Sequence, residues 1–383
     1  MAGCVPVPSE EPSTTSNPVS SNVHENVKKY YGRYLESSEG LQTSAASCSF
    51  PCRPTPKSVV DALTLVHPEV TQRFFGCGLP VPEKVESCKI LDLGSGSGRD
   101  CFALSKLVGE EGHVTGIDMT KELIDVSCKY IEYHQKKFGY IKPNTTFVHG
   151  YMEKLSEAGI QNDSMDIVVS NCVICLCPDK RAVLQEAHNV LKEGGEVYLS
   201  DMYASKVIPD RFKQDPILWG EGMGGSLFWP DFIALAQEVG FSTPCLVSAS
   251  HIVIHNCELK AKTGDISYAS GTYRLFKIPK TRVMSKAAVT YKGTVADFPD
   301  EIEFDSSHIF KRDVAVEVDW EMAAFLRCSR FSPDFSIQIL DKPQPSPSST
   351  AQYCHLNPFL LADKRGSSVR QCSKTDRSGG CST

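Results

Sequence analysis

From Lys89 onward, short apolar runs alternate with helix-length stretches. CKILDLGSG, GHVTGIDM, TTFVHGYM, MDIVVSNCVICL and GGEVYLSDM read as strands. Between them, the stretches around RDCFALSKLVG, TKELIDVSCKYIEYHQKKFG and DKRAVLQEAHNVLKEGG carry helical periodicity. Near-continuous apolar strands separated by helices predict a parallel sheet covered on both faces, a doubly wound α/β domain. Upstream, VHENVKKYYGRYLES and PTPKSVVDALTLVH read as amphipathic helices, the second starting after its proline. Downstream, the helix WPDFIALAQEVGF leads to strand-like LVSASHIVIH and GTYRLFKI, and VEVDWEMAAFLRC and FSIQIL predict a small extra α+β unit.

The two ends carry a different pattern. The Ser/Pro-rich start and the stretch from Lys342 hold few aliphatic residues beyond NPFLLA, so both are expected to be disordered. The expected organisation is a disordered terminus at 1–22, the main domain with an N-terminal cap at 23–255, a small C-terminal α+β domain at 256–341 and a disordered tail at 342–383. With 383 residues and 41% hydrophobic content, the chain can bury a sizeable core. Its net charge of −6 speaks against a nucleic-acid partner. The first 22 residues contain no Lys or Arg and no apolar run, and no segment approaches the roughly 18 apolar residues of a membrane span. Cytosolic residence is therefore expected, with the 16 cysteines mostly present as thiols.

LDLGSGSGRD places Gly94, Gly96 and Gly98 between a strand and a helix, where backbone N–H groups are free to meet a ligand. Asp118 closes the next strand, 20 residues after Gly98, at the position of an acid that accepts ribose hydroxyls. That spacing alone suits a nicotinamide dinucleotide as well. The acid inside the first strand, Asp92, makes an E/DxGxGxG pattern, which resembles motif I of the class I S-adenosylmethionine-dependent methyltransferases. The resemblance implies a Rossmann-like sheet with S-adenosylmethionine as cofactor. It assigns Asp92 to ordering the glycine loop, Asp118 to the ribose, Met119, Met152 and Glu153 to the adenine, and Asn171 to the methionine moiety. It also makes Tyr30, Tyr31 and Gly32 an aromatic cap over the site.

SNCVICLCPDK ends the fourth of these strands with Cys172, Cys175 and Cys177. Ligands of open parallel sheets bind beyond the carboxyl ends of the strands, so Cys172 is expected to face the cofactor's reactive end. GCGLPVPE, ILDLGSGSGRDC, GHVTGIDMTK, DIVVSNCVI, VLQEA, VLKEGGE, ILWGE and RLFK together closely resemble the arsenite methyltransferases, from Val27 to about Leu340 and into the PF and GGC elements of the tail. The resemblance implies trivalent arsenic, as arsenite or methylarsenite carried by glutathione, bound by Cys77 and Cys172. Cys48 would take part in redox steps, with thioredoxin or glutathione as reductant and no membrane or nucleic-acid partner. The small C-terminal domain would complete the arsenic site.

The chain departs from the family at WGEGMGG, where Gly222 replaces the cysteine expected to supply another arsenic ligand. Phe74 and Phe75 also stand where tyrosines are expected. A third thiol is then to come from Cys175, Cys177 or Cys48, or arsenic is held by two thiolates. Cys175 and Cys177 equally suit the role of small buried hydrophobes. Four thiolates from 48–52 and 172–175 would allow zinc. Two other functions keep parts of this reading: methylation of a small organic acceptor, and arsenical binding with little turnover.

Overall fold

The structure, a computed structural model, describes residues 3–5, 18–35, 37, 40–45, 55–280, 284–343 and 350–375. One large sheet contains β1 (Gly3–Val5), β2 (Lys89–Leu93), β3 (His113–Asp118), β4 (Thr145–His149), β5 (Met165–Asn171), β6 (Leu191–Ala204), β8 (Cys245–Ile252) and β9 (Tyr268–Phe276), in the order 1-4-3-2-5-6-9-8, with β7 (Leu227–Phe228) joined to β6. All pairs from β1 to β6 are parallel. β9 runs antiparallel to β6, and β8 antiparallel to β9.

Alternate residues of each central strand enter opposite cores. Leu91, Val168 and Val197 pack beneath α7 (Lys180–Val190) and α10 (Trp229–Val239), whereas Ile90, Ile167 and Val169 pack with Phe102 and Leu104 of α4 (Arg99–Val108) and Ala62 of α2 (Lys57–Thr64). With both faces covered, every second side chain is apolar on either side, which is why these strands read as continuous apolar runs. The remaining helices are α1 (Pro18–Lys29), α3 (Pro68–Gln72), α5 (Lys121–Lys129), α6 (Ile131–Phe138), α8 (Asp210–Lys213), α9 (Pro216–Gly220) and α11 (Cys257–Thr263), followed by α12 (Trp320–Cys328) and α13 (Pro358–Thr375) near the C-terminus. α1 continues into a single π-helical stretch at Tyr30–Tyr34.

A separate sheet, β10 (Ser285–Tyr291) between β13 (Ala315–Val318) and β14 (Phe335–Pro343), joins the hairpin β11 (Glu301–Glu303) and β12 (Ile309–Lys311) around an aromatic core with α12. A buried ion network ties this unit to the large sheet. Arg274 of β9 meets Glu196 of β6 and Glu83, stacks 4.0 Å over the ring of Phe304, and shares Glu196 with Arg330.

Three expectations are corrected. β9 lies inside the large sheet, so the C-terminal unit begins after Phe276 and not at residue 256. The run YASGTYRLF is buried at every position because it sits between two strands, a property it shares with the parallel strands. The tail expected to be disordered from 342 continues β14 and forms α13, which docks on β8: the Tyr273 hydroxyl donates to the Leu356 carbonyl at 2.7 Å, and Leu356 and Ala362 are buried. The NPFLLA apolar segment supplies that docking face. At the other end, Gly3–Val5 pairs with β4 and a helix starts at Pro18, within the stretch expected to be disordered. Cys48, Cys52 and Cys381 lie outside the described residues, as does the side chain of Cys372. Among the described residues, no helix is long and apolar enough to cross a membrane.

Candidate active site

The loop from β2 to α4 lies at the carboxyl edge of the parallel strands, beside the ends of β3 and β5. Gly96 adopts φ +55, and a side chain there would meet nothing nearer than Leu123 at 3.9 Å. The loop thus keeps an empty cradle that a ligand's own atoms can fill. Asp118 accepts the Gly96 N–H at 2.9 Å and the Thr120 N–H at 2.7 Å. Burial nevertheless raises the Asp118 pKa. Asp92 is buried beneath the loop and accepts the Cys101 thiol at 3.1 Å; burial and the neighbouring Asp100 push its pKa well up.

Asp92, Gly94, Gly96, Asp118, Met119, Met152, Glu153, Asn171 and Cys172 all line one cleft. Its shape and donor set suit a nucleoside carrying a polar chain. Gly98 stands apart, capping α4 at φ +90 against Phe147. Tyr31, not Tyr30, closes the cleft wall, edge-on to Phe75 at 5.2 Å. The Tyr30 hydroxyl instead donates to Glu221 at 2.6 Å, while the Tyr31 hydroxyl donates to the Gly220 carbonyl at 2.8 Å. The cap therefore grips the WGEG loop; burial raises the pKa of Glu221, and the hydrogen bond from Tyr30 offsets only part of that rise. Arg99 lies 3.3 Å over the ring of Phe74, in the same wall.

Behind the cleft, three thiols converge. Cys77, fully buried, sits in the GCG turn, which Asn171 holds by accepting the Gly78 N–H at 3.1 Å and donating to the Gly78 carbonyl at 3.0 Å. A Cβ on Gly78 would lie 2.1 Å from the Ser200 hydroxyl, so only glycine lets this turn approach β6. Cys172 leaves β5 with φ +58, a conformation that a side-chain-bearing residue rarely adopts. It hydrogen bonds to both Cys77 and Cys175. Cys175 belongs to a 3₁₀ turn anchored by the buried Asp201, which accepts the N–H groups of Ile174 at 2.9 Å, Cys175 at 3.3 Å and Met202 at 2.7 Å. The ligand atoms of Cys172, Cys175 and Asp201 lie within 4.8 Å of one another.

Gly222 faces this group. A Cβ built on it would lie 3.1 Å from the Cys175 sulfur, at a backbone φ of +82. Cys175 thus occupies the space toward which a side chain at 222 would project. Cys177 points elsewhere, donating to Glu153 at 2.8 Å in the cleft wall.

Cys172 and Cys175 are held neutral. Hydrogen bonds with Cys175 and Cys77, then burial, push the Cys172 pKa well above its usual value. For Cys175 the hydrogen bond with Cys172 favours the thiolate, but burial and the Asp201 carboxylate outweigh it and hold the pKa at about 11. A second, larger cavity of about 410 Å³ reaches Cys77 and contains Ser200, Ser270 and Thr272, with Val295 and Phe298 of the C-terminal unit in its wall. Ser270 donates to the Cys77 carbonyl at 3.0 Å. Of these residues, Asp201, Glu221 and Ser270 carried no assignment from sequence. Asp201 alone had a signal there, as an acid closing an apolar strand in the manner of Asp118.

Comparison with known proteins places the chain. A methyltransferase domain model matches residues 84–240, and an arsenite methyltransferase C-terminal domain model matches residues 284–383. The chain is 48% identical to the arsenite methyltransferase of Homo sapiens over 365 residues, spanning 94% of this chain and 96% of that protein. It is 42% identical to that of Aquipseudomonas alcaligenes over 316 residues, spanning 82% and 90%. The crystal structure of an arsenic(III) S-adenosylmethionine methyltransferase from Chlamydomonas reinhardtii superposes with a TM-score of 0.72 at 39% identity, covering 77% of this chain and all of that one. With two matching domain models and near full-length relatives, the chain belongs to the arsenite methyltransferase family, S-adenosylmethionine-dependent enzymes of the class I methyltransferase fold.

Proposed function

We propose that the chain methylates trivalent arsenic, as arsenite and methylarsenite, bound by Cys77, Cys172 and Cys175. The observation that carries the reading is the convergence of three cysteines behind the cleft, with Cys172 in the cleft wall and in contact with the other two. Trivalent arsenic is soft and prefers sulfur ligands to oxygen. Each exchange joins a thiol sulfur to arsenic and releases the displaced hydroxide with the thiol proton as water, so neutral thiols are competent ligands. A glutathionyl group leaves in the same way, taking the proton as free glutathione.

S-adenosylmethionine, when bound, supplies an electrophilic methyl on a positively charged sulfur. Gly94, Gly96 and Asp118 would hold the nucleoside, Met119 and Met152 the adenine, and Asn171 the amino-acid end; all line the one cleft. Tyr31 and Phe75 exclude water from the cleft. The three sulfurs fix the arsenic lone pair, so positioning supplies most of the rate and no general base is required. Methylation consumes that lone pair. Two electrons from a thiol pair restore it as the pair closes to a disulfide, and we assign Cys48 to this step, with thioredoxin or glutathione reopening the disulfide.

The test is turnover with S-adenosylmethionine, thioredoxin and glutathione on arsenite and on methylarsenite, with arsenic species resolved by chromatography. Both substrates are expected to be methylated. Methylation of methylarsenite alone would limit the site to two thiolates. Tight arsenical binding with no product from either would overturn the enzyme reading in favour of a binding protein.

A further inference from the structure

A second group of soft and borderline donors lines the same cleft, on residues other than the three proposed arsenic ligands. Glu153, in the loop after β4, accepts two hydrogen bonds on the same oxygen: from His24 Nε2 of α1 at 2.8 Å and from the Cys177 sulfur at 2.8 Å. The three donor atoms, one nitrogen, one oxygen and one sulfur, all lie within 4.8 Å of one another, and Cys177 is buried. None of the three has a role in holding arsenic. They come from separate segments, which only the closed position of α1 brings together.

We propose that His24, Glu153 and Cys177 bind a thiophilic divalent cation, with zinc as the representative ion, and that the ion pins the N-terminal helix shut over the cofactor cleft. The donor set has the composition of three-ligand zinc sites that leave a fourth position to water. Tetrahedral zinc with bonds of roughly 2.0–2.3 Å needs its ligand atoms roughly 3.3–3.7 Å apart. The two contacts to Glu153, at 2.8 Å each, lie somewhat short of that range, so the ion enters as the side chains move apart by under about 1 Å. Binding replaces the Cys177 proton, which leaves to solvent, and the metal bond takes its place. The carboxylate and the new thiolate then balance the charge of the ion. The nearby Lys180 ammonium is engaged on the other side, by the Cys177 carbonyl at 2.7 Å and the Trp219 ring. Glu153 and Cys177 also line the cofactor cleft, so the ion and S-adenosylmethionine use the same wall and exclude each other. The site would make methyl transfer sensitive to free zinc independently of the arsenic thiols.

The experiment titrates zinc ion into the full-length chain carrying Cys77→Ser, Cys172→Ser and Cys175→Ser, which removes the arsenic thiols, and measures stoichiometry, affinity and proton release by calorimetry. Adding Cys177→Val or His24→Ala is expected to remove one bound zinc per chain or weaken it at least about tenfold, with about one fewer proton released. Saturating S-adenosylmethionine is expected to weaken the same site by at least about tenfold through reciprocal linkage. His24→Ala is also made in the otherwise unaltered chain, where it removes the 2.8 Å hydrogen bond to Glu153 and the 5.0 Å contact with the Tyr151 ring, so its cofactor affinity without zinc is measured first as the reference. There it should relieve inhibition of cofactor binding by zinc. Unchanged zinc stoichiometry and affinity in both added variants, or unchanged zinc inhibition of cofactor binding in the single His24→Ala variant, would overturn the proposal.

Discussion

Serine in place of Cys175 removes one of the three sulfurs while keeping the 3₁₀ turn and its anchor on Asp201. The serine oxygen is a hard donor on a shorter bond, so arsenic keeps two sulfur ligands. We expect arsenite affinity to fall by roughly 10²-fold, which is about 2.7 kcal/mol. Methylarsenite, with only two exchangeable positions, should lose much less. Gly222→Cys in the unaltered chain places a Cβ 3.1 Å from the Cys175 sulfur on a backbone at φ +82. The left-handed conformation costs about 1–2 kcal/mol for a side-chain-bearing residue, and the crowded sulfurs add to it. In Cys175→Ser the crowding is relieved, and a sulfur on residue 222 projects into the vacated space. The double variant should therefore recover at least about tenfold of the lost arsenite affinity, a coupling of about 1.4 kcal/mol or more. Quenching of Trp219, whose indole N–H donates to the Leu176 carbonyl at 2.9 Å beside the site, reports binding, and product chromatography reports turnover. Full arsenite affinity and full rate in Cys175→Ser, with no gain in the double variant, would refute the three-thiol site.

Asp118→Ala should weaken S-adenosylmethionine by roughly 10–100-fold while leaving arsenical quenching of Trp219 unchanged, because loss of a charged acceptor costs about 1.5–3 kcal/mol; parallel titrations of the two ligands check this. Asn171→Ala removes the hydrogen bonds to the Gly78 N–H and carbonyl and the 2.8 Å bond to Asp100, so stability should fall by about 2–3 kcal/mol and arsenical affinity with it, read from urea melts and quenching. Arg274→Met leaves Glu196 buried with only Arg330 and Glu83 without its Arg274 partner, and about 3–5 kcal/mol of stability should be lost, with a lower urea midpoint. Stability should also fall as pH rises. Cys175 releases its proton at about 8.5 when unfolded but only at about 11 when folded, so its contribution is complete below about 8.5 and is lost through about 11. Cys175→Ser should flatten that decline in melts taken across this range.

Much of the fold is legible in the chain because the central strands are buried on both faces, and an apolar run as short as MDIVVSN suits a covered strand far better than a helix. The glycine loop and Asp118 are legible because each residue type answers a local requirement, a left-handed turn or an acid at a strand end. Strand direction is not. β8 and β9 bury the same residue types as parallel strands, and only the register pairing Ser200 with Thr272 reveals the antiparallel edge. α13 is hidden because its apolar residues are few and gain meaning only against β8. Tyr30 and Tyr31 stand out as aromatic neighbours at the end of a helix, but which ring enters the cleft depends on the π-helical turn that rotates one toward Glu221. The match between Cys175 and Gly222 joins positions 47 residues apart in sequence. Their Cβ directions, not their spacing, make them neighbours.

Neutral thiols answer a difficulty built into any such site. A thiolate beside an electrophilic methyl is itself a good nucleophile, and alkylation of Cys172 would end catalysis. Here the hydrogen bonds of Cys172 with Cys175 and with Cys77, together with burial, favour the protonated Cys172 while arsenic is absent. The substrate brings its own base, since the oxygen that leaves arsenic accepts the proton. In the proposed mechanism sulfur becomes anionic in character only when arsenic is bonded to it, and the nucleophile that then faces the methyl is the arsenic lone pair. The same burial that makes the thiols poor nucleophiles therefore makes them selective ligands. Asp201 strengthens the effect, because its carboxylate disfavours a second negative charge on Cys175 while its three N–H contacts hold the turn in place.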